Sequence, residues 1–195
     1  MGMDIYGKDP KIVGDEPKFP DNYNELSEKA QRCYWDLKEE FDLANPGKYF
    51  RANIWSWRPI QLACVYVNEE LKMGINMDNW GHNSGDGLDN QQDCNTLALG
   101  LEDMLEGMRD KGIKKFGFNL GSWNIKAPDG NGYQYRDLTD DEQEYLENIC
   151  PNGGLCNPIP VVYNDIEFYP SHVTEVDHLE EFIKFLRHCN GFEIW

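Results

Sequence analysis

The chain is most distinctive at residues 49–59, which read Tyr49-Phe50-Arg51-Ala52-Asn53-Ile54-Trp55-Ser56-Trp57-Arg58-Pro59. This segment interleaves four large aromatic residues with two arginines, in a chain whose formal net charge is -17. Arginine stacks on aromatic rings, and both residue types are enriched at the centres of binding surfaces. The segment is therefore either a recognition surface or part of the core, and the spacing of its residues bears on the choice.

Helical spacing favours the core for most of these aromatic side chains. Phe50, Ile54 and Trp57 follow one another at intervals of four and three, as on one buried face of a helical turn. Arg51 and Trp55 would share a neighbouring face, four residues apart, where a cation–π contact can form.

The remaining members of the segment are expected nearer the surface. We expect Arg51, Arg58 and Trp55 to stay partly exposed. Pro59 is expected to begin the next helix, over about 59–72, because the N–H that proline lacks has no partner at that position. Residues 49–53 are expected to be a strand or an extended entry.

The rest of the chain alternates between helix and strand signals without a repeat. Apolar residues at intervals of three and four predict helices near 24–42, 94–108 and 176–186. Asp89 and Thr139 fit as helix caps, the latter in a capping box with Glu142. Strand patterns lie at 1–7, 161–169 and 192–195. We predict one compact α+β domain over 1–195, with a small mixed or antiparallel sheet and about four helices.

The negative charge is concentrated in two blocks. The first contains Asp137, Asp140, Asp141, Glu142, Glu144 and Glu147; the second contains Asp165, Glu167, Glu175, Asp177, Glu180 and Glu181. Nucleic-acid binding depends on Lys and Arg that neutralise phosphates, so this composition argues against it. It favours a partner protein with a basic surface, although solubility alone also accounts for such charge.

The sequence also bears on the compartment. The beginning of the chain has no basic region followed by an apolar run, and no stretch approaches the roughly 20 apolar residues of a membrane span. The six cysteines are scattered along the chain. We therefore expect a cytoplasmic protein with reduced thiols and no contact with a membrane.

Several motifs resemble a family of small proteins encoded by phages, prophages and bacteria. They are Met1-Gly2-Met3-Asp4-Ile5-Tyr6-Gly7-Lys8, the segment 49–59, Ser84-Gly85-Asp86-Gly87-Leu88-Asp89, Phe182-Ile183-Lys184-Phe185-Leu186-Arg187 and Gly191-Phe192-Glu193-Ile194. The order along the chain is the same, but the family pattern is more compact, so residues 9–47 read as an inserted loop and helix. The family's tryptophan run is interrupted here by Ser56, and its paired Asn by Ala52. The resemblance implies a viral or mobile-element setting and supplies no reaction.

The loop 82–89 is the most site-like part of the sequence. Asp86-Gly87 is similar to the middle of an EF-hand, but His82 and Asp93 stand where the first and last calcium ligands belong. Only a partial calcium or magnesium site could form, from Asp86 and Asp89. A glycine turn that leads into an Asp helix cap explains the same residues.

A zinc site is the second metal hypothesis. Its ligands would be Cys150, Cys156, His172 and His178. The histidine spacing is usual, whereas the five residues between the cysteines exceed the usual two to four. His178 would lie within the last helix, and a position facing solvent is the alternative for it.

Two functions from different classes follow. The first is a non-enzymatic acidic binding protein of phage or mobile-element origin that inhibits a host nucleic-acid-binding defence protein by occupying its basic surface. Its expected binding residues are Arg51, Trp55, Arg58, Trp80, Asp140, Asp141, Glu142 and Glu144. The alternative is a small enzyme or ligand-binding protein acting on a nucleotide-like molecule. It would use His82, Asp86 and Arg58 beside a pocket lined by Trp55 or Trp80. No cofactor is expected for the first function, and a virion or assembly component remains a third possibility.

Overall fold

The computed structural model of the chain describes residues 2–134, 136–156 and 159–195. Within these residues it contains five α-helices and two antiparallel sheets, which confirms the predicted α+β class. The helices are α1 (Glu28–Ala44), α2 (Ile54–Glu70), α3 (Gln91–Asp110), α4 (Asp140–Ile149) and α5 (Val176–Leu186). The strands are β1 (Gly2–Gly7), β2 (Tyr49–Asn53), β3 (Gly87–Leu88), β4 (Lys115–Lys126), β5 (Tyr133–Gln134), β6 (Leu155–Cys156), β7 (Val161–Tyr163), β8 (Ile166–Glu175) and β9 (Phe192–Ile194).

The first sheet has the strand order β2-β1-β9-β3. Strands β1 and β9 are far apart in sequence and pair at its centre. Because side chains alternate between the two faces of a strand, Met3 and Ile5 share one face, and both are buried. Helices α2, α3 and α5 cover this face and form the main core with it. The opposite face carries exposed side chains, including Tyr6 and Trp195.

Helices α3 and α5 follow the predicted pattern closely. All the positions predicted to be buried on them are buried: Cys94, Leu97, Ala98, Leu101, Leu105, Met108, Val176, Leu179, Phe182, Ile183 and Leu186. The predicted cap of α3 is wrong by one residue. The side chain of Asn90 accepts a hydrogen bond from the N–H of Asp93 at 2.9 Å, whereas Asp89 pairs with Lys8 at 2.5 Å.

The segment 49–59 changes from strand to helix at Asn53. The side chain of Asn53 accepts a hydrogen bond from the N–H of Ser56 at 3.0 Å, so α2 begins at Ile54. The prediction that Pro59 begins this helix is wrong, because the Asn53 cap starts it five residues earlier. Pro59 lies in the second turn of α2 and is buried.

This change of conformation also alters how the aromatics reach the core. Phe50 enters it from β2 and Trp57 from α2, and they are 6% and 0% exposed. Their burial confirms the prediction, but the single helical stripe that was its basis is not formed. Arg51 and Trp55 lie on different elements, so the predicted helical pairing of these two residues is also wrong.

Residues 8–48 form an excursion between two strands that pair directly with each other. The chain leaves the first sheet and returns to it at one point, since a Cβ on Gly7 would lie 2.1 Å from the carbonyl oxygen of Gly47. Any larger residue at Gly7 would force these strands apart. Within the excursion, α1 buries only Phe41 of its seventeen residues. Leu37 of the predicted apolar stripe is 51% exposed, so that stripe is mostly uncovered.

The second sheet has the order β5-β4-β8-β7, and β6 pairs with the start of β4. Where one strand was predicted over 161–169, the chain forms a hairpin, because Asn164 and Asp165 adopt positive φ angles of 49° and 63° and turn it. Helix α4 packs on this sheet through a small second cluster that contains Leu146 and Phe168. Helix α2 packs against β8 and joins the two sheets.

The two tryptophans of α2 provide a test of this arrangement. The Trp57 indole N–H donates to the carbonyl of Trp80 at 2.6 Å in the core, whereas Trp55 is 57% exposed. We expect Trp57→Phe to lower the free energy of unfolding by about 2–4 kcal/mol, because it removes buried volume and this hydrogen bond. The matched control Trp55→Phe should change it by less than about 0.5 kcal/mol. Equal losses in urea unfolding would contradict the assigned positions.

Candidate functional site

Helix α4 carries the first acidic block, and its start is built on Glu142. The Thr139 side chain accepts the N–H of Glu142, and the Glu142 carboxylate accepts the N–H of Thr139 at 2.9 Å, which confirms the predicted capping box. Arg136 also donates two hydrogen bonds to this carboxylate, at 2.7 and 2.6 Å. These bonds to Arg136, together with those to Thr139, lower the pKa of Glu142 to about 2 despite its burial.

Glu142 is therefore a structural residue. It is 5% exposed and fully engaged, so it cannot contact a partner as predicted. Sequence analysis missed Arg136, although this last base before the acidic block stands six residues before the capping-box glutamate. Its guanidinium and the cap fix the orientation of α4 relative to the segment that precedes it.

The other carboxylates of this block point outward. Asp137, Asp140, Asp141, Glu144 and Glu147 are all exposed. Three of them, Asp140, Glu144 and Glu147, line a cleft of about 680 Å³ that is completed by Pro151 and Asn152. Across the described parts of the chain, none of the five forms an ion pair with Lys, Arg or His. We call this set the α4 acidic face.

Half of the carboxylates in the second acidic block lie near a lysine or an arginine. Glu175 pairs with Lys115 at 2.8 Å, and Glu180 pairs with Arg109 at 2.7 Å. Asp177 also lies near Arg109, Glu181 contacts the ring of His178, and Glu167 accepts from the hydroxyl of Tyr169. Among the described residues, Asp165 and Glu167 have no basic partner. The two blocks look alike in sequence, but the structure places three carboxylates of the second block near Lys or Arg and only Glu142 of the first.

A disulfide joins the end of α4 to the second sheet. Cys150 follows the helix and is bonded to Cys156 of β6, with a Cα–Cα distance of 5.1 Å. Both residues are fully buried. The expectation of reduced thiols is wrong for this pair, because the glycine turn between them brings the two sulfur atoms together. The free cysteines are Cys33, Cys64, Cys94 and Cys189.

The predicted zinc ligands do not assemble. The two cysteines bond to each other, His172 packs beside Trp55, and His178 stacks on Phe50 with ring centroids 4.9 Å apart. No group of three or more His, Cys, Asp or Glu side chains within residues 2–134, 136–156 and 159–195 has the geometry to hold a metal ion. Both the zinc hypothesis and the partial calcium site of Asp86 and Asp89 lack support in this geometry.

The predicted catalytic group is not brought together either. His82 and Asp86 are exposed, and the backbone N–H of Asp86 donates to Ser84 Oγ at 3.1 Å. Among the described residues, no hydrogen bond or ion pair links His82 or Asp86 to Arg58. Trp80 is 0% exposed and so cannot line a pocket, which corrects the prediction for that residue.

Arg58 instead lies in a different cluster. Its guanidinium rests against Gly81, where a Cβ would lie 2.1 Å from Nη1, so a larger residue at this position would displace the guanidinium. In the described residues its one hydrogen-bond partner is Gln61, at 3.4 Å, and it has no carboxylate within 4.0 Å. An arginine without a carboxylate partner is unexpected in a chain with 35 acidic and 18 basic residues.

His172 and Trp55 complete this cluster. The His172 ring is 8% exposed, its Nδ1 lies 2.8 Å from Ser171 Oγ, and its centroid is 4.9 Å from that of the exposed Trp55. Burial, and then the charge of Arg58, lower the pKa of His172, which keeps the ring neutral near pH 7. Among the residues that the structure describes, the cluster presents a cation without a carboxylate partner, Arg58, beside the exposed ring of Trp55. Sequence analysis considered His172 only as a zinc ligand, because nothing in the sequence places it beside α2.

No family model, curated protein or solved structure matches the chain. The resemblance to a phage and prophage family therefore stays a prediction that its motifs alone carry. No helix in the described part of the chain is both long and apolar enough to cross a membrane.

The pKa of Glu142 gives a test of its structural role. A carboxylate whose pKa is lowered by folding stabilises the fold above its unfolded pKa of about 4.5, and this contribution is lost as the pH falls towards about 2. We expect Glu142→Gln to lower the free energy of unfolding by about 1–3 kcal/mol at pH 7. The difference between wild type and variant should shrink between about pH 4.5 and pH 2.

The control for this experiment is Glu144→Gln. Glu144 is exposed and has no ion pair in the described residues, so its substitution should leave the stability almost unchanged at every pH. Chemical unfolding followed by circular dichroism measures both variants. A pH-independent loss for Glu142→Gln would contradict a role for its ionised form.

Proposed function

We propose that this protein is a non-enzymatic acidic binding protein that docks the α4 acidic face on the basic surface of a partner protein. The observation that carries the proposal is the contrast between the two acidic blocks. In the second block, Glu175, Asp177 and Glu180 lie within 4.0 Å of a Lys or Arg nitrogen, whereas Asp137, Asp140, Asp141, Glu144 and Glu147 are exposed and form no ion pair among the described residues. Like charges held together raise the free energy of the isolated protein, and a basic partner relieves that repulsion.

The rigidity of α4 supports the same function. The capping box fixes the beginning of the helix, Leu146 anchors its middle, and the Cys150–Cys156 disulfide fixes its end. Carboxylates on a fixed helix do not have to be ordered when a partner binds, so less conformational entropy is lost on binding.

A basic groove that normally holds nucleic acid is the kind of surface that this face fits. Such grooves present rows of Lys and Arg that recognise regularly spaced phosphates. Consistent with the motifs shared with phage and prophage proteins, we propose a host nucleic-acid-binding defence protein as the partner, and its inhibition as the result. The protein would act from the cytoplasm of the host cell, where the burial of both sulfur-bearing residues keeps thiol reductants from the Cys150–Cys156 disulfide.

The test is a binding assay against a panel of purified bacterial nucleases and other nucleic-acid-binding defence proteins. The affinity should fall at least about tenfold between about 0.01 M and about 0.15 M salt, as the Debye length shortens from about 30 to about 8 Å. Single- or double-stranded DNA should compete with this protein for the basic surface of the partner. Salt-independent binding, or no binding to any member of the panel, counts against the proposal.

A pair of variants with equal net charge separates the face from the overall charge. The first variant is D140N/D141N/E144Q/E147Q, and the control is E70Q/D103N/E106Q/D110N, whose residues are exposed on α2 and α3. The first should weaken binding by about tenfold or more, and the control by much less. Equal losses would show that only net charge matters.

The Arg58 cluster favours a second function, binding of a small anionic and aromatic molecule such as a nucleotide. A free guanidinium suits a phosphate or carboxylate, and the exposed ring of Trp55 offers a stacking surface beside it. The predicted pocket contained His82 and Asp86 beside Arg58. In the structure His172 lies beside Arg58 instead, and the buried Trp80 is not part of this surface. No step of chemistry follows from this arrangement.

Titration with adenosine monophosphate tests this second function. If the nucleotide binds, Arg58→Gln should weaken its affinity by about tenfold or more, because the phosphate loses a charged partner. The control Arg51→Gln changes the other arginine of the same segment and should have no effect. Native mass spectrometry of the purified protein adds a direct search for a retained ligand. An affinity that is insensitive to Arg58 would rule this site out.

A further inference from the structure

Strand β2 ends the first sheet with an unpaired edge. In the pairing of β1 with β2, the N–H of Gly7 donates to the carbonyl of Lys48, and Ile5 and Met3 face Phe50 and Ala52 in the same alternation. In an antiparallel ladder every second residue points its backbone groups to the neighbouring strand. The backbone groups of Phe50 and Ala52 therefore point to β1.

The backbone groups of Tyr49 and Arg51 point the other way. No backbone or side-chain group in the described residues forms a hydrogen bond with them. Proteins commonly blunt such edges with proline, a bulge or a covering segment. Strand β2 has no proline and pairs with β1 in a regular register over its five residues, so its edge is intact.

The edge faces a cavity of about 840 Å³ between α1, β2 and α5. Phe50 and Phe185 form its apolar floor, while Trp35 and Leu43 of α1 line the other wall and are 52% and 76% exposed. Cavities of this volume hold a drug-sized ligand or several side chains. We call it the β2 groove.

Helix α1 is held in place without filling the groove. Glu16 bridges Lys38 and Lys48, and both lysines lie over the ring of Phe41, at 5.7 and 5.0 Å from its centroid. The Asn45 side chain bonds to the carbonyl of Phe41 at 2.7 Å. The wall formed by α1 is therefore fixed. Its Trp35 donates a hydrogen bond from the indole N–H to the hydroxyl of Tyr23 at 2.7 Å, and the side chain of Leu43 remains 76% exposed.

The charges at the rim of the groove select the occupant. Arg51 is 67% exposed, and its nearest carboxylate, Asp4 at 3.6 Å, also accepts the hydroxyl of Tyr49. Lys184 is 60% exposed, and Glu180, at 3.5 Å, bonds more closely to Arg109. Both cations share their carboxylates with another donor. Three carboxylates also line the groove: Asp42 pairs with Lys38, Glu181 contacts His178, and Glu39 lies on α1, across from β2. The charge beside the β2 edge itself is that of Arg51, so an added strand is expected to place an acidic side chain opposite it.

We propose that β2 recruits an extended, acidic segment of another protein as a further strand of the first sheet. Its backbone would pair with Tyr49 and Arg51, and a carboxylate opposite Arg51 would lie on the same face of the sheet. The residues on either side of that carboxylate would point to the face of Phe50 and Phe185 and are expected to be apolar. A second copy of this chain is disfavoured, because two β2 edges would bring their Arg51 and Lys184 side chains together. The proposal is independent of the α4 acidic face.

Hydrogen exchange measured residue by residue by NMR tests the pairing directly. The probe is a synthetic peptide of about seven residues in which Val alternates with Glu. Saturating peptide should slow exchange of the Tyr49 and Arg51 amides by about tenfold or more. The amides of Phe50 and Ala52 already bond to β1 and serve as the internal control. Binding that leaves the Tyr49 and Arg51 amides unprotected, or no binding at millimolar peptide, overturns the proposal.

Three matched probes separate strand addition from other kinds of binding. A peptide methylated at one central backbone nitrogen loses a donor and should bind about tenfold more weakly. A peptide with Lys in place of Glu should also bind more weakly to wild type, and Arg51→Glu should reverse that preference. The control Lys111→Glu changes an exposed lysine beyond the end of α3 and should leave the preference for the Glu peptide unchanged.

Leu43→Asp tests the groove wall without disturbing the fold, because the Leu43 side chain is 76% exposed. This substitution should weaken binding of the acidic peptide. The control Leu99→Asp, at a leucine of α3 that is 55% exposed, should leave the binding unchanged. Protection of the Tyr49 and Arg51 amides that rises with protein concentration alone would assign the edge to a second copy and overturn the proposal.

Discussion

The hydrogen bond from the N–H of Ser56 to the side chain of Asn53 determines how the first sheet meets the helices. It ends β2 and starts α2 without a loop between them. The side chains therefore change within one residue from the two-residue alternation of a strand to the helical period of about 3.6 residues. Because of this change, Trp57 points into the core while Trp55 remains outside. The same turn places Arg58 against Gly81, and the short strand before it keeps a free edge beside α1.

The helices that carry much of the two proposed binding surfaces lie outside the main core. Helix α4 belongs to the second sheet, with its own small cluster, and α1, the outer wall of the β2 groove, belongs to the excursion between β1 and β2. Neither helix contributes a residue to the main core. Substitutions on the two surfaces can therefore change binding with little cost in stability, which is typical of recognition surfaces on rigid scaffolds.

Much of the fold follows from local patterns in the sequence. The stripes of α3 and α5 and the Thr139 capping box were predicted because period and cap chemistry act within one element. The start of α2 was missed because an early Asn cap competed with a proline signal. Which carboxylates form ion pairs could not be predicted, since the pair of Glu180 with Arg109 joins residues 71 positions apart. The unpaired state of Arg58 likewise depends on where Gly81 and His172 meet α2.

The contact between Gly7 and Gly47 has a consequence for how this protein can vary. The chain enters and leaves the excursion at residues that touch each other. The pairing of β1 with β2 therefore does not depend on the length or sequence of the segment between these residues. Segments there can be lengthened, shortened or exchanged while β1 and β2 keep their alignment. The wall of the β2 groove can therefore change in sequence without an effect on folding. Substitutions in α1 alone would then preserve binding to a partner whose own sequence changes rapidly.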